Sequence, residues 1–205
     1  KSNNREANQG NLRVTYTLDH AEDWNTELGL SAQAGQLYNS VLAEMGTHSA
    51  FAAHLNGNYG KWNLMLTGIR MDHDPKTADE ATYPGEGDFD DRFVVMGAYD
   101  FPYKVASDGN FYSVGVSYDV PVSWGPVSML TFYNDFSMFA KDESAFEDSF
   151  HEIPGVMITA GNVYTYVDFA IGKNNPWLGE FSGLGEGVKD ADWKMRFNVN
   201  VGYYF

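Results

Sequence analysis

The last thirteen residues, Trp193 to Phe205, alternate in character as far as Tyr203: Trp193, Met195, Phe197, Val199, Val201, Tyr203 and Phe205 are apolar, with Lys194, Arg196, Asn198, Asn200, Gly202 and finally Tyr204 between them. A period of two places the seven apolar side chains on one side of a strand and the polar ones on the other. A strand of about 9 to 11 residues tilted by ~45° crosses a bilayer, so this segment is long enough to span one.

Upstream the same period gives about ten strands in all. Leu12, Val14, Tyr16 and Leu18 form the apolar face of the first, opposed by Arg13, Thr15, Thr17 and Asp19. Leu28, Leu30, Ala32 and Ala34 mark the second, Phe51, Ala53, Leu55 and Tyr59 the third, and Trp62, Leu64 and Leu66 the fourth. A fifth is read from Phe93, Val95, Gly97, Tyr99 and Phe101, and a sixth from Tyr112 to Val120. After the break Pro121–Pro126 come strands around Leu130–Phe136, Val156–Ala160 and Val163–Gly172, the last two joined by Gly161-Asn162, a two-residue hairpin turn. Short connections and no helical period predict an all-β, antiparallel, up-and-down sheet, with residues 1–205 as one domain.

Composition removes several classes. No apolar run approaches the ~18 residues of a spanning helix, and the mean hydropathy is −0.37. A β-barrel passes that test, since only alternate residues need be apolar. The chain has no Cys, so a disulfide scaffold and a thiolate metal site are out. A formal charge of −15 argues against nucleic acid, which selects basic surfaces. In a pore that charge favours cations; on loops it is solvated, or bridged through divalent ions to phosphates. Lys1, without a preceding Met or apolar leader, is what a mature exported protein or a cut fragment would show.

A soluble sandwich or lipocalin-like barrel would alternate in the same way, with its apolar face turned inward. The aromatic residues favour the membrane. Trp24, Tyr38, Tyr59, Trp62, Tyr99, Tyr103, Trp193, Tyr203 and Tyr204 concentrate near strand ends, as two interfacial girdles require.

An alternating terminal strand ending in Phe resembles the closing strand of Gram-negative outer-membrane β-barrel proteins. Gly172-Lys-Asn-Asn-Pro-Trp-Leu-Gly179 and Leu130-Thr-Phe-Tyr-Asn-Asp-Phe-Ser137 are similar to the C-terminal part of general and phosphate-selective-type porins, with the likeness best from about residue 93 onward. The resemblance implies a transmembrane barrel in the bacterial outer membrane, this chain being either a small barrel or the C-terminal part of a larger one of the 16-strand type. It implies a water-filled channel for small hydrophilic solutes, with no cofactor and no enzymatic activity. Its implied partners are outer-membrane lipid and lipopolysaccharide, the barrel-assembly machinery that reads Phe197, Val199, Val201, Tyr203 and Phe205, and two further copies in a homotrimer. The phosphate-selective subgroup carries an inward ladder of Lys and Arg; here Arg13, Arg70, Lys104, Lys194 and Arg196 are few against the acid excess, and a mild cation preference is the expectation.

In such barrels the C-terminus and short turns share one side and long loops the other. Counting back from Phe205 puts 173–191 and 139–150 with the long loops and Gly161-Asn162 and Pro121–Pro126 with the turns. The same count places the long acidic loop Asp72–Asp91 on the turn side, so either one strand between 93 and 138 is miscounted or that loop is unusual.

If the apolar faces meet lipid, the opposite faces line a lumen. The residues so assigned are Arg13, Thr15, Glu27, Asp119, Tyr164, Tyr166, Asp168, Lys194, Arg196, Asn198 and Asn200, with Thr17, Ser31, Gln33, His54, Asn56, Asn58, Ser113 and Ser117 beside them. A wall of mixed charge and amide conducts hydrated solutes without tight binding; in a narrow barrel the same groups would plug it. The alternative chemistry is a rim hydrolase: Asp72-His73-Asp74 supplies an Asp-His couple able to activate water, with Asp88, Asp90 or Asp91 as partner carboxylates. An acidic loop holding one histidine is the plainer reading. Asp142, Glu143, Glu147 and Asp148 read as a solvated loop, and Gly183-Leu-Gly-Glu-Gly187 opens no helix that would make it a phosphate cradle.

Overall fold

The computed structural model describes residues 4–85, 90–98 and 101–205. Its strands are β1 (Asn4–Ala21), β2 (Trp24–Asn39), β3 (Glu44–Tyr59), β4 (Trp62–Asp74), β5 (Phe93–Ala98), β6 (Phe101–Ala106), β7 (Gly109–Trp124), β8 (Val127–Lys141), β9 (Ser149–Ala160), β10 (Val163–Lys173) and β11 (Lys194–Tyr203). Nine of them form one sheet in the order β1-β2-β3-β4-β7-β8-β9-β10-β11, while β5 and β6 pair only with each other. Every pairing is antiparallel. The chain is therefore all-β and up-and-down.

The segment expected as a fifth strand is not a strand of the main sheet. Phe93 pairs with Ala106 and Ala98 with Phe101, making a separate hairpin inside the connection from β4 to β7, which pair directly through Leu66↔Val114. Period two reports a strand but not the sheet it joins, and Tyr99 lies outside the described residues. Removing this hairpin from the count removes the parity conflict. Residues 22–23, 60–61, 125–126 and 161–162 now link strands at one end of the sheet, and 40–43, 75–108, 142–148 and 174–193 at the other. Three of the short turns begin with a glycine at positive φ, Gly60 at 64° and Gly125 and Gly161 at 60°, as a two-residue hairpin of matching twist needs.

Register divides the side chains between two faces. Trp62, Leu64 and Leu66 of β4 share a face with Tyr118, Val116 and Val114 of β7, with Phe132 and Leu130 of β8, with Val156 and Ile158 of β9, with Val167 and Phe169 of β10, and with Val199 and Phe197 of β11. On β11 the apolar residues Met195 to Tyr203 are 53% to 66% exposed, and on β1 Leu12, Val14 and Tyr16 are 61% to 66% exposed. The other face is concave. Asn63 and Met65 of β4, Ser117 of β7, Tyr133 and Asp135 of β8, Met157 of β9 and Asp168 of β10 surround one cavity of about 370 Å³. Strands lie ~4.8 Å apart, so β4 and β10 reach a common cavity only if the sheet curls toward this side.

Apolar burial is thus inverted relative to a soluble sandwich: the strands turn their apolar side chains outward. The buried apolar cluster, Met71, Val105, Ala106 and Phe139 with Val94, Tyr103, Phe111, Phe146 and Leu184 against it, forms where the hairpin and long loops fold onto the sheet end. Phe111 and Phe139 stack there at 4.0 Å.

Trp24, Tyr59, Trp62 and Tyr118 lie side by side on one rung of four neighbouring strands at the short-turn end, with ring contacts of 5.6 Å for Trp24–Tyr59 and 4.6 Å for Trp62–Tyr118. Tyr103 does not belong to such a belt. It sits on β6 and meets Trp177 edge-on at 6.1 Å. Among the described residues no pairing joins β1 to β11, so the curled sheet is open, and with nine antiparallel strands its two edges run in the same direction.

Candidate functional site

The eleven residues assigned to a lumen wall share the concave face. Registers place Arg13 opposite Ser31, Thr15 opposite Gly29, Glu27 opposite Thr17 and Asp119 opposite Thr131; on the last strands Tyr164, Tyr166, Asp168 and Ala170 face Gly202, Asn200, Asn198 and Arg196, and Lys194 faces Gly172. Two polar networks divide this face.

On β1 to β3, Arg13 Nη2 lies 3.3 Å from Glu27 Oε1 and 3.3 Å from His54 Nε2, and His54 Nε2 lies 3.1 Å from the same carboxylate oxygen. His54 folds over Gly29, where a Cβ would come 2.0 Å from its Cε1, so glycine is what lets the ring lie flat against the sheet. On β7 to β11, the Tyr133 hydroxyl donates to Asp168 Oδ2 at 2.7 Å, Asn198 donates to Asp168 Oδ1 at 3.2 Å, and Thr131 donates to Asp119 Oδ1 at 2.6 Å. Gly155 lies beneath Tyr133 and Asp168, and Gly115 beneath Asp135. Asp168 is 8% exposed yet keeps both oxygens bonded, which is how a buried carboxylate avoids an unpaired charge.

Thr131, Tyr133 and Asp135 were not among the expected wall residues, although they stand opposite Leu130, Phe132 and Phe136 in the sequence. Their alternation is the signal that finds them. The outward face also carries a polar pair: Asn134 donates to Glu152 at 3.0 Å, between apolar neighbours on β8 and β9.

A cap of loops covers the long-loop end. Gly183 O accepts from Lys141 Nζ at 2.6 Å and from Ser149 Oγ at 2.7 Å, and Asn174 donates to Asp148 O while accepting from Val188 N at 2.8 Å. The glycines of 183–187 serve this close packing; a Cβ at Gly183 would fall 2.3 Å from Asn174 O. Asp142 is not merely solvated, since Arg70 Nη1 contacts it at 2.5 Å, and Asp148 Oδ1 accepts from Lys141 N at 3.1 Å. In the loop before β5, Arg92 forks onto Asp90 through Nε at 2.9 Å and Nη2 at 2.7 Å, which holds the Asp90 carboxyl below the usual carboxylate range.

The Asp72-His73-Asp74 segment is the end of β4, and a strand sends neighbours to opposite faces. Asp72 Oδ2 lies 3.5 Å from Arg70 and Asp74 Oδ2 3.0 Å from Lys76. His73 points the other way, with Nδ1 3.0 Å from Ser107 O and its ring stacked on His48 at 5.6 Å. The carboxylate closest in the chain of bonds is that of Asp108, and it accepts from the His73 backbone N–H at 3.0 Å rather than from the ring. Asp90 is engaged by Arg92, and Asp88 lies outside the described residues. Among the described residues, Asp72, His73 and Asp74 therefore do not form an Asp-His couple. Among the described residues no group of three or more His, Cys, Asp or Glu is placed to hold a metal ion.

No protein-family model matches this chain, and no curated protein or solved structure matches it.

Proposed function

We propose that this chain forms part of the wall of an outer-membrane porin, a β-barrel whose lumen passes small hydrophilic solutes with a mild preference for cations. The observation that carries the reading is the inversion of apolar burial: an apolar convex face, most exposed on β1 and β11, with an aromatic rung at the short-turn end. Exposed apolar surfaces larger than a few hundred Å² mark an interaction surface, and lipid is the partner that fits a curved one this wide. The sorting of all four short turns to one end and all four long connections to the other supports the same orientation, with the terminal strand's Phe197, Val199, Val201, Tyr203 and Phe205 toward lipid. The concave face supplies the wetted wall, where Asp119, Asp135 and Asp168 stand with Lys194 and Arg196.

Planar-bilayer recording of the folded protein tests this. Single-channel steps with a cation-over-anion permeability ratio above unity are expected; folded protein that inserts without steps, or that selects anions, overturns the proposal.

A further inference from the structure

On the same concave face, a second cavity of about 270 Å³ opens beneath the loop cap, lined by Tyr103 of β6, by Pro176, Trp177, Gly179 and Phe181 of the β10–β11 loop, and by Arg196 of β11. We infer that this cavity is a binding site for a small aromatic monocarboxylate, taken up with its ring between the aromatic walls and its carboxylate on Arg196.

Three observations carry the inference. The walls are flat and apolar: Trp177 and Tyr103 meet at 76°, leaving a Trp face open to a planar guest, and Trp177 and Phe181 are 48% and 62% exposed. The charge at this cavity is Arg196, a cation that no described carboxylate pairs. Lys194, two residues earlier on the same face, is engaged by Glu180, whereas Arg196 forms no ion pair with any described residue. In a chain of formal charge −15 that makes a local positive spot. A guanidinium presents two parallel N–H donors that match a carboxylate's two oxygens. Finally, the volume lies just under the ~300 Å³ at which pockets for drug-sized ligands begin, which limits the guest to one ring with a short acidic substituent. Phosphate is disfavoured, because it offers the aromatic walls no apolar surface to cover.

The inference deepens the diffusion reading by naming a solute class met at the long-loop mouth, and its test is separable from conductance. Fluorobenzoate is titrated with the detergent-folded protein and followed by fluorine NMR. Saturable binding is expected, weakened about tenfold or more in Arg196→Gln and in Trp177→Ala, with Arg196→Lys intermediate. Fluorobenzyl alcohol, which keeps the ring and lacks the charge, is expected to bind about tenfold more weakly, and neither acetate nor inorganic phosphate should displace fluorobenzoate at equal concentration. Folding of each variant is read from heat-modifiable gel mobility, and any one folded variant suffices. Unchanged affinity in a folded Arg196→Gln or Trp177→Ala protein, equal binding of the alcohol, or displacement by phosphate overturns the site. Binding without channel steps would overturn the porin reading and leave the site; steps without binding would do the reverse.

Discussion

Val199 gives the sharpest test of the proposal that the convex face meets lipid. It is the middle apolar residue of the run Met195 to Tyr203, it pairs with Val167 on β10, and it is 53% exposed. Eight residue steps at ~3.3 Å, tilted ~40°, give an apolar band about 20 Å tall with Val199 near its midplane. Replacing Val199 by Arg then places a charge where the outer-barrel scale costs roughly 2 to 4 kcal/mol, or about a 30- to 700-fold shift in the folding equilibrium. Asn200 is the internal control. It is the next residue, exposed, opposite Tyr166 on the concave face, and Asn200→Arg should stay within ~0.5 kcal/mol. If instead the convex face met water, Val199→Arg would be an ordinary surface change of that same small size. Urea unfolding from lipid vesicles, followed by tryptophan fluorescence, measures both. A Val199→Arg protein as stable as the parent, or an Asn200→Arg protein equally damaged, would refute the face assignment.

Gly155→Ala should destabilise by about 1 to 3 kcal/mol, because the new Cβ would lie 2.6 Å from both Asp168 Cβ and Tyr133 Cζ; a urea midpoint equal to the parent's would show that the Tyr133–Asp168 network moves freely. Phe139→Ala removes a ring 2% exposed from the cap cluster, and a loss of the order of 3 to 5 kcal/mol should appear locally as protease nicking within 75–108 and 174–193 while the strand circular dichroism persists. Asp119→Asn combined with Asp135→Asn should bring the reversal potential in a salt gradient closer to zero, since both carboxylates face the concave side; an unchanged potential would remove them from the conducting wall.

The two-faced strands were legible because a strand of the main sheet sends successive side chains to opposite faces along its whole length. Hence Leu12–Leu18 and Met195–Tyr203 read as they fold, and the eleven residues expected along a lumen fall on one face of the sheet. The hairpin β5–β6 was not legible as such, because Phe93, Val95 and Gly97 alternate like a barrel strand, although Phe93 stacks on Phe146 and it is Val94, on the other face, that packs against the buried cluster of the cap. Only the parity of turns betrayed it. The Asp72-His73-Asp74 reading placed β4's end in a loop; continuing the strand to Asp74 sends His73 to one face and both carboxylates to the other. The aromatic cavity was invisible for a different reason. Tyr103 is distant in sequence from Trp177, Phe181 and Arg196, and the aromatic residues meet Arg196 of β11 only through the folding of two connections.

The open sheet and the proposed channel bear on each other through strand number. Unpaired N–H and C=O groups along an edge cost several kcal/mol each in hydrocarbon, so a spanning wall has to close. Joining β1 directly to β11 would require a parallel ladder, since nine alternating strands leave both edges running the same way, whereas an odd number of further strands gives two antiparallel seams. Curvature argues for the wider ring. In closed barrels of about eight strands inward side chains meet across the axis and fill it. Here Arg13, Glu27 and His54 bond to one another, and Tyr133, Asp168 and Asn198 do likewise several strands away; apart from the loop cap, the strands pack mainly on their immediate sheet neighbours. Concave groups that bond only one or two strands sideways are what the proposed water-filled lumen would need. A barrel of about sixteen strands needs about seven more, which is odd, and satisfies both conditions.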